Sequence, residues 1–161
     1  SNLGNLDEAE SLQLLGQLRE RLCRGDRLLL GLDLQKDPRR ILRAYDDEAG
    51  ITARFNLNLL TRLNRELQMD FALDAFAHYA SYSPLDGVAR SFLVSLRAQR
   101  VRSRLLDQHF DFAAGESIYT EQSQKYTPDG VAGLLGAAGF ALADTLLDEL
   151  NGYAIFVGEA G

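Results

Sequence analysis

Leu12, Leu15, Leu18 and Leu22 recur at helical spacing, with Leu14 beside them, so the first amphipathic stretch predicts a helix. Asp7-Glu8-Ala9-Glu10 ahead of it has the spacing of a capping box. Gly25 stands where a helix C-cap glycine belongs, and Ser1 to Leu6 reads as a loop leading in. The pattern then loses its helical period. Leu28 to Leu34 is an apolar run broken only at Asp33 and bounded by Gly25 and Lys36, which predicts a strand buried on both faces, as in a parallel sheet. Such a strand needs neighbours on both edges, so the chain is expected to be the back half of something larger. An uncovered apolar edge predicts self-association. Ligands of open α/β sheets sit beyond the carboxyl ends of strands, where Asp33 to Lys36 lie.

Asp37-Pro38 supplies an N-cap and a first-turn proline for a second helix, running to about Tyr45. A polar break, Asp46 to Gly50, precedes a third helix from Ile51 to Leu67. Phe55, Leu59, Leu63 and Leu67 are four apart on its apolar side, with Leu60 beside them. Asn56, Asn58 and Asn64 are unusual in a helix because asparagine competes for the backbone, and one or two are expected to satisfy a neighbouring loop. Short strands follow at Phe76 to Tyr82, Val88 to Leu96, Ala98 to Leu106 and Phe110 to Phe112, with a turn at Pro84 to Gly87. Val88, Phe92, Val94 and Leu96 share one parity, predicting the buried side of an antiparallel strand. Thr127-Pro128 opens a fourth helix ending at Gly139, and a last hairpin turns at Asn151-Gly152.

At 161 residues the chain has room for one domain with a core and a small appendage. A net charge of −6 argues against a nucleic-acid surface, since phosphate binding needs a clustered basic face. Arg97, Arg100, Arg102 and Arg104 form a local basic run and read as the solvated face of a strand. One cysteine excludes an intrachain disulfide, and Cys23 reads as a small packing residue of the first helix. No stretch has the length of a membrane span, and a cytoplasmic location is expected. One cysteine and two histidines build no zinc site. His78 and His109 each fall in a strand and read as packed or surface histidines. Gly133, Gly136 and Gly139 read as close-packing positions of the fourth helix, and Asp46-Asp47-Glu48 as a solvated loop. Glu121 and Ser123 are two apart in an extended segment, so both point to one face. An acceptor and a hydroxyl there suit a heterocycle N–H or a ligand amine, although an exposed polar strand has the same spacing. These residues by themselves reach an α/β domain and no further.

SNLGNL, GLDLQKDP, RAYDD, the FNLNLL helix, FDFAAGE and TEQSQKY, in that order, cover nearly the whole chain. The set resembles the histidine-specific, S-adenosylmethionine-dependent methyltransferases of ergothioneine biosynthesis. The resemblance implies the carboxy-terminal part of a class I (Rossmann-like) methyltransferase sheet with an inserted α+β substrate-binding domain. Residues 1–44 would belong to the core, 45–126 to the insert and 127–161 to the returning helix and hairpin. S-adenosylmethionine would be bound mainly by an amino-terminal half preceding Ser1, so the fragment alone is expected to be inactive. Asn5 would hold the amino acid's main-chain end, Tyr45 its carboxylate, and Glu121 and Ser123 the imidazole ring. Where the family has Ile-Glu-Met, this chain has Ala89-Arg90-Ser91, so Ser91 stands at the position beside the ring. Methyl transfer to the α-nitrogen of histidine, ending in a trimethylated betaine, is the implied reaction. Another amino acid as substrate, or a non-catalytic amino-acid-binding or interaction module, are the alternatives.

Overall fold

The computed structural model describes residues 2–161, so Ser1 of the opening loop lies outside the described residues. Among the described residues, four α-helices and eight strands follow one another in a mixed α/β order. The chain divides into two compact units. One comprises Ser1–Asp37, Ser83–Val88 and Gln122–Gly161; the other comprises Pro38–Tyr82 and Ala89–Glu121.

In the first unit, helix α1 (Glu8–Arg19) starts on the capping box that the sequence predicts: Asp7 accepts from the Glu10 N–H, and Glu10 accepts from the Asp7 N–H. The helix stops earlier than expected. Its cap is Glu20, and Gly25 instead takes a positive φ of 87° in the turn before β1 (Arg27–Asp33). Cys23 therefore lies beyond the helix and is exposed rather than packed. Strand β1 pairs antiparallel with β8 (Tyr153–Ala160), which pairs antiparallel with β7 (Phe140–Leu147), giving the order β1-β8-β7. Among the described residues β1 has one neighbour, the antiparallel β8; Leu29 is 63% exposed there, while Leu32 and Leu34 are buried. An all-leucine run conceals which side meets the core, because alternation is visible only when the outer face is polar. The core packs Leu32, Phe156, Phe140 and Leu15 with Val131 and Leu135 of α4 (Pro128–Ala137). Gly158 permits this approach, since a Cβ there would meet Leu135 at 3.1 Å and Phe140 at 3.3 Å. Gly133 and Gly136 face open space and are not the close-packing positions expected.

In the second unit, α2 (Pro38–Tyr45) and α3 (Ile51–Glu66) precede β2 (Phe76–Ser83), β3 (Val88–Ser95), the hairpin β4 (Gln99–Ser103) and β5 (Gln108–Phe112), and β6 (Ser117–Gln124). Strands β2, β3 and β6 form one sheet in that order; the last residues of β2 and β6 and the first of β3 fall in the first unit. Asp47 belongs to no free loop. Its carboxylate accepts from the N–H groups of Ile51 (2.9 Å) and Thr52 (2.7 Å) at the start of α3. These bonds to backbone donors hold its pKa down to about 2. Helix α3 buries Leu60 fully and leaves Phe55 74% exposed, against the expected apolar row. Leu60 joins Leu93, Phe71, Phe76 and Val101, with the Phe71, Phe76 and Phe112 rings in edge-on contact. Val88 is buried as expected, but from Ala89 on the parity of β3 is the reverse: Ala89, Ser91, Leu93 and Ser95 are buried, and Phe92 and Val94 are not. Phe92 instead stacks between Tyr79 (6.1 Å between centroids) and Tyr119 (5.4 Å). The small residues were overlooked because hydropathy marks large side chains, whereas a helix-covered face also needs small ones to let the layers close.

One asparagine of α3 satisfies a neighbouring loop, as expected. Asn64 donates to the Phe71 carbonyl and accepts from the Phe71 N–H, both at 2.8 Å. Asn64→Ala should therefore lower stability by about 1–3 kcal/mol, the cost of stranding a covered backbone donor and acceptor. A urea titration of the intact protein measures it, and an unchanged midpoint would show that water replaces the side chain at no cost.

Candidate functional site

Four polar side chains meet where β1 and β6 end. Asp33, the last residue of β1, pairs with Lys36 at 2.5 Å and with Lys125 at 2.9 Å. Lys125 follows β6, is 2% exposed, and its Nζ also donates to Ser123 Oγ at 2.8 Å. Lys36 is tied further to the Gly152 carbonyl at 2.8 Å. Burial alone would push the Asp33 carboxyl up, but the hydrogen bonds and charges of Lys36 and Lys125 outweigh it and hold the group below its usual value. The backbone fixes the same corner: Tyr126 donates its N–H to Asp33 O, and Gln35 donates its own to Tyr126 O.

The Asn2–Asn5 turn lies against this corner. A Cβ on Gly4 would meet Gln124 O at 2.9 Å and Ser123 Oγ at 3.7 Å, so glycine is what lets the turn approach β6. The structure thereby brings the turn carrying Asn5 beside Ser123; the Gln122 amide donates to the Asn5 carbonyl at 3.5 Å, and the Asn5 residue is exposed. A cleft of about 280 Å³ opens next to them, lined by Leu6, Ser11, Gln35, Gln124, Lys125 and Tyr126 among others. Burial pushes the Tyr126 phenol up.

The second unit holds Tyr45, Ser91 and Glu121. Tyr45 ends α2, and its carbonyl faces His78 Nε2 at 2.8 Å. His78 Nδ1 faces Asn56 Nδ2 at 2.9 Å, and the same amide nitrogen donates to Phe92 O at 3.3 Å. A carbonyl only accepts and an amide nitrogen only donates, so these contacts suit a His78 ring that donates from Nε2 and accepts at Nδ1. It is a packed histidine that ties the end of α2 to α3. Glu121 is exposed and alternates to the face of Tyr119 and Phe92. Ser91 is 3% exposed on the opposite face, where its carbonyl accepts from Thr120 Oγ1 at 2.9 Å. Ser91 and Glu121 therefore point away from each other across the sheet.

Lys125 is the functional candidate the sequence reading missed. Its signal was present: Glu121, Ser123 and Lys125 are two apart, and all three share one parity. Among the described residues no group of His, Cys, Asp and Glu is arranged to hold a metal ion. No described helix is long and apolar enough to cross a membrane.

A family model described as "Histidine-specific methyltransferase, SAM-dependent" matches residues 1–160. The histidine N-alpha-methyltransferase of Mycolicibacterium smegmatis is 48% identical over 139 residues, 86% of this chain and 43% of that protein. That of Mycobacterium tuberculosis is 42% identical over 155 residues, 96% of this chain and 48% of that protein. The chain thus spans less than half the length of these curated relatives. Among solved structures, the CcbJ methyltransferase of Streptomyces caelestis aligns with a TM-score of 0.49 at 13% identity, over 99% of this chain and 57% of that one.

Proposed function

The chain belongs to the S-adenosylmethionine-dependent, histidine-specific methyltransferase family, and from that premise we propose that the intact protein methylates the α-amino nitrogen of histidine. The observation that carries this reading is the family match along residues 1–160, supported by 48% identity to a histidine N-alpha-methyltransferase. Residues 45–126 would form the substrate-binding insert of the methyltransferase core. Asn5 would hold the substrate's main-chain end and Tyr45 its carboxylate, both through neutral donors, which bind an anion without adding a charge. Glu121 would accept from a ring N–H, and Ser123 would take the other ring nitrogen. Ser91, buried on the sheet face opposite Glu121, is given no part in holding the ring.

The α-amine attacks only when neutral, so the protein's tasks are to place its nitrogen in line with the methyl group and to let its proton leave. S-adenosylmethionine supplies the electrophilic methyl when bound. The turns leading from a described strand into a described helix, residues 34–37 before α2 and 125–127 before α4, contain no glycine. They do not form the glycine-rich cradle such a donor takes, and no described residue is assigned to it.

Incubating the intact protein with histidine and S-adenosylmethionine should yield mono-, di- and trimethylated histidine by mass spectrometry. Failure of histidine in a competition among the amino acids, with another one methylated, would transfer the reading to that amino acid. Binding of an amino acid with no methyl transfer at all would leave the non-catalytic module.

A further inference from the structure

Among the described residues, Lys125 is the one charged residue that is buried, at 2% exposure. An ammonium removed from water to that extent is stable only when paired, and its pair is the Asp33 carboxylate at 2.9 Å. It also donates to Ser123 Oγ at 2.8 Å. An ammonium has three hydrogens and no lone pair, so in this contact Lys125 donates and Ser123 accepts. The hydroxyl carries one hydrogen of its own, which must then point away from Lys125. Hydrogen bonds in series polarise one another, so a hydroxyl that accepts from a cation is also a better donor.

We propose that Lys125, anchored by Asp33, is a specificity-determining positioning residue: it fills one lone pair of Ser123 and polarises its O–H, so that Ser123 donates better than it accepts and favours a hydrogen-bond acceptor in the ligand. This rests on the reading that Ser123 meets the substrate's ring. On that reading the acceptor is the unprotonated nitrogen of a neutral imidazole, and rings lacking it are disfavoured. A serine free to turn would accept from an N–H equally well and would not make that distinction. Asp33 does not touch the substrate here. It keeps the lysine aimed, while Lys36, itself held by the Gly152 carbonyl, pairs with Asp33's other oxygen.

The test is a calorimetric comparison on the intact protein, with histidine and the two pyrrolylalanine isomers as probes. Each isomer keeps a ring N–H and replaces the acceptor nitrogen by C–H. The wild-type protein should prefer histidine over the better isomer by about tenfold or more. Ser123→Ala should erase the preference, Lys125→Met should cut it by about fivefold or more, and the double variant should match Ser123→Ala alone. A purely structural lysine would weaken all three ligands together and leave the ratio unmoved. If Ser123→Ala erases the preference and Lys125→Met retains it, the role given to Lys125 is overturned while Ser123's ring contact stands. If Ser123→Ala itself retains the preference, the ring contact falls and the proposal with it. Should Lys125→Met not fold, Asp33→Leu with Lys125→Met removes both charges together and carries the same comparison.

Discussion

Asp33→Ala should lower the stability of the intact protein by about 3–5 kcal/mol, among the largest single-residue losses expected here. The side chain lost is modest, but the residue left behind is not. Lys125 at 2% exposure would keep its charge with no carboxylate beside it, and Lys36, now also released, would stand near it as a like charge. Because Asp33 is 32% exposed, water reaches part of the site and the lower end of the range is expected. The shift of the urea midpoint measures the loss. A loss within about 0.5 kcal/mol, the usual span for surface substitutions, would show that Lys125 finds another partner or deprotonates. The same pair predicts a pH dependence. Asp33 titrates lower in the folded protein than in the unfolded chain, so its contribution is complete above the unfolded value of about 3.9 and fades as pH falls through the lowered folded value. Asp47 adds to the same acid window, between the ordinary carboxylate value and about 2, through its bonds to the first N–H groups of α3. Asp33→Asn should therefore flatten the loss of stability below about pH 4 that the wild-type protein shows.

Glu121→Ala should weaken histidine binding by about 10- to 150-fold while leaving S-adenosylmethionine binding intact. A carboxylate accepting from an imidazole N–H forms a charge-assisted bond worth about 1.5–3 kcal/mol, and truncation removes it outright. Glu121 is exposed on β6 and makes no contribution to the aromatic core of its unit, so the substitution tests recognition rather than folding. Calorimetry with each ligand separates the two affinities. Equal loss of both would point to a distorted strand, and no loss of either would make Glu121 an ordinary surface residue.

The chain's elements were legible where a local rule was at stake. The capping box at Asp7 and Glu10, the proline-led α2 and α4, and the last hairpin are set by backbone groups a few residues apart, which the sequence displays directly. The asparagines of α3 were legible for the same reason: a poor helix former kept inside a helix has a partner elsewhere, and Asn64 and Asn56 do. The ordered motifs from SNLGNL to TEQSQKY carried the family, because so many residue identities in a fixed order have few other sources.

Tertiary structure alone decided which faces are covered. Leu28 to Leu34 is apolar throughout, so only the pairing with β8 shows that β1 leaves Leu29 exposed. In β3 the larger residues gave the wrong parity, because a covered face selects by the room its neighbours leave and took Ala89, Ser91 and Ser95 instead. Most of all, a lysine in TEQSQKY reads as a solvated charge until β1 and β6 end at the same corner. The sequence by itself determined the local elements, the family and the candidate residues Asn5, Tyr45, Glu121 and Ser123. That Lys125 is buried against Asp33 and aimed at Ser123 was decided by a contact between residues 92 positions apart along the chain (125 less 33), which no local pattern encodes.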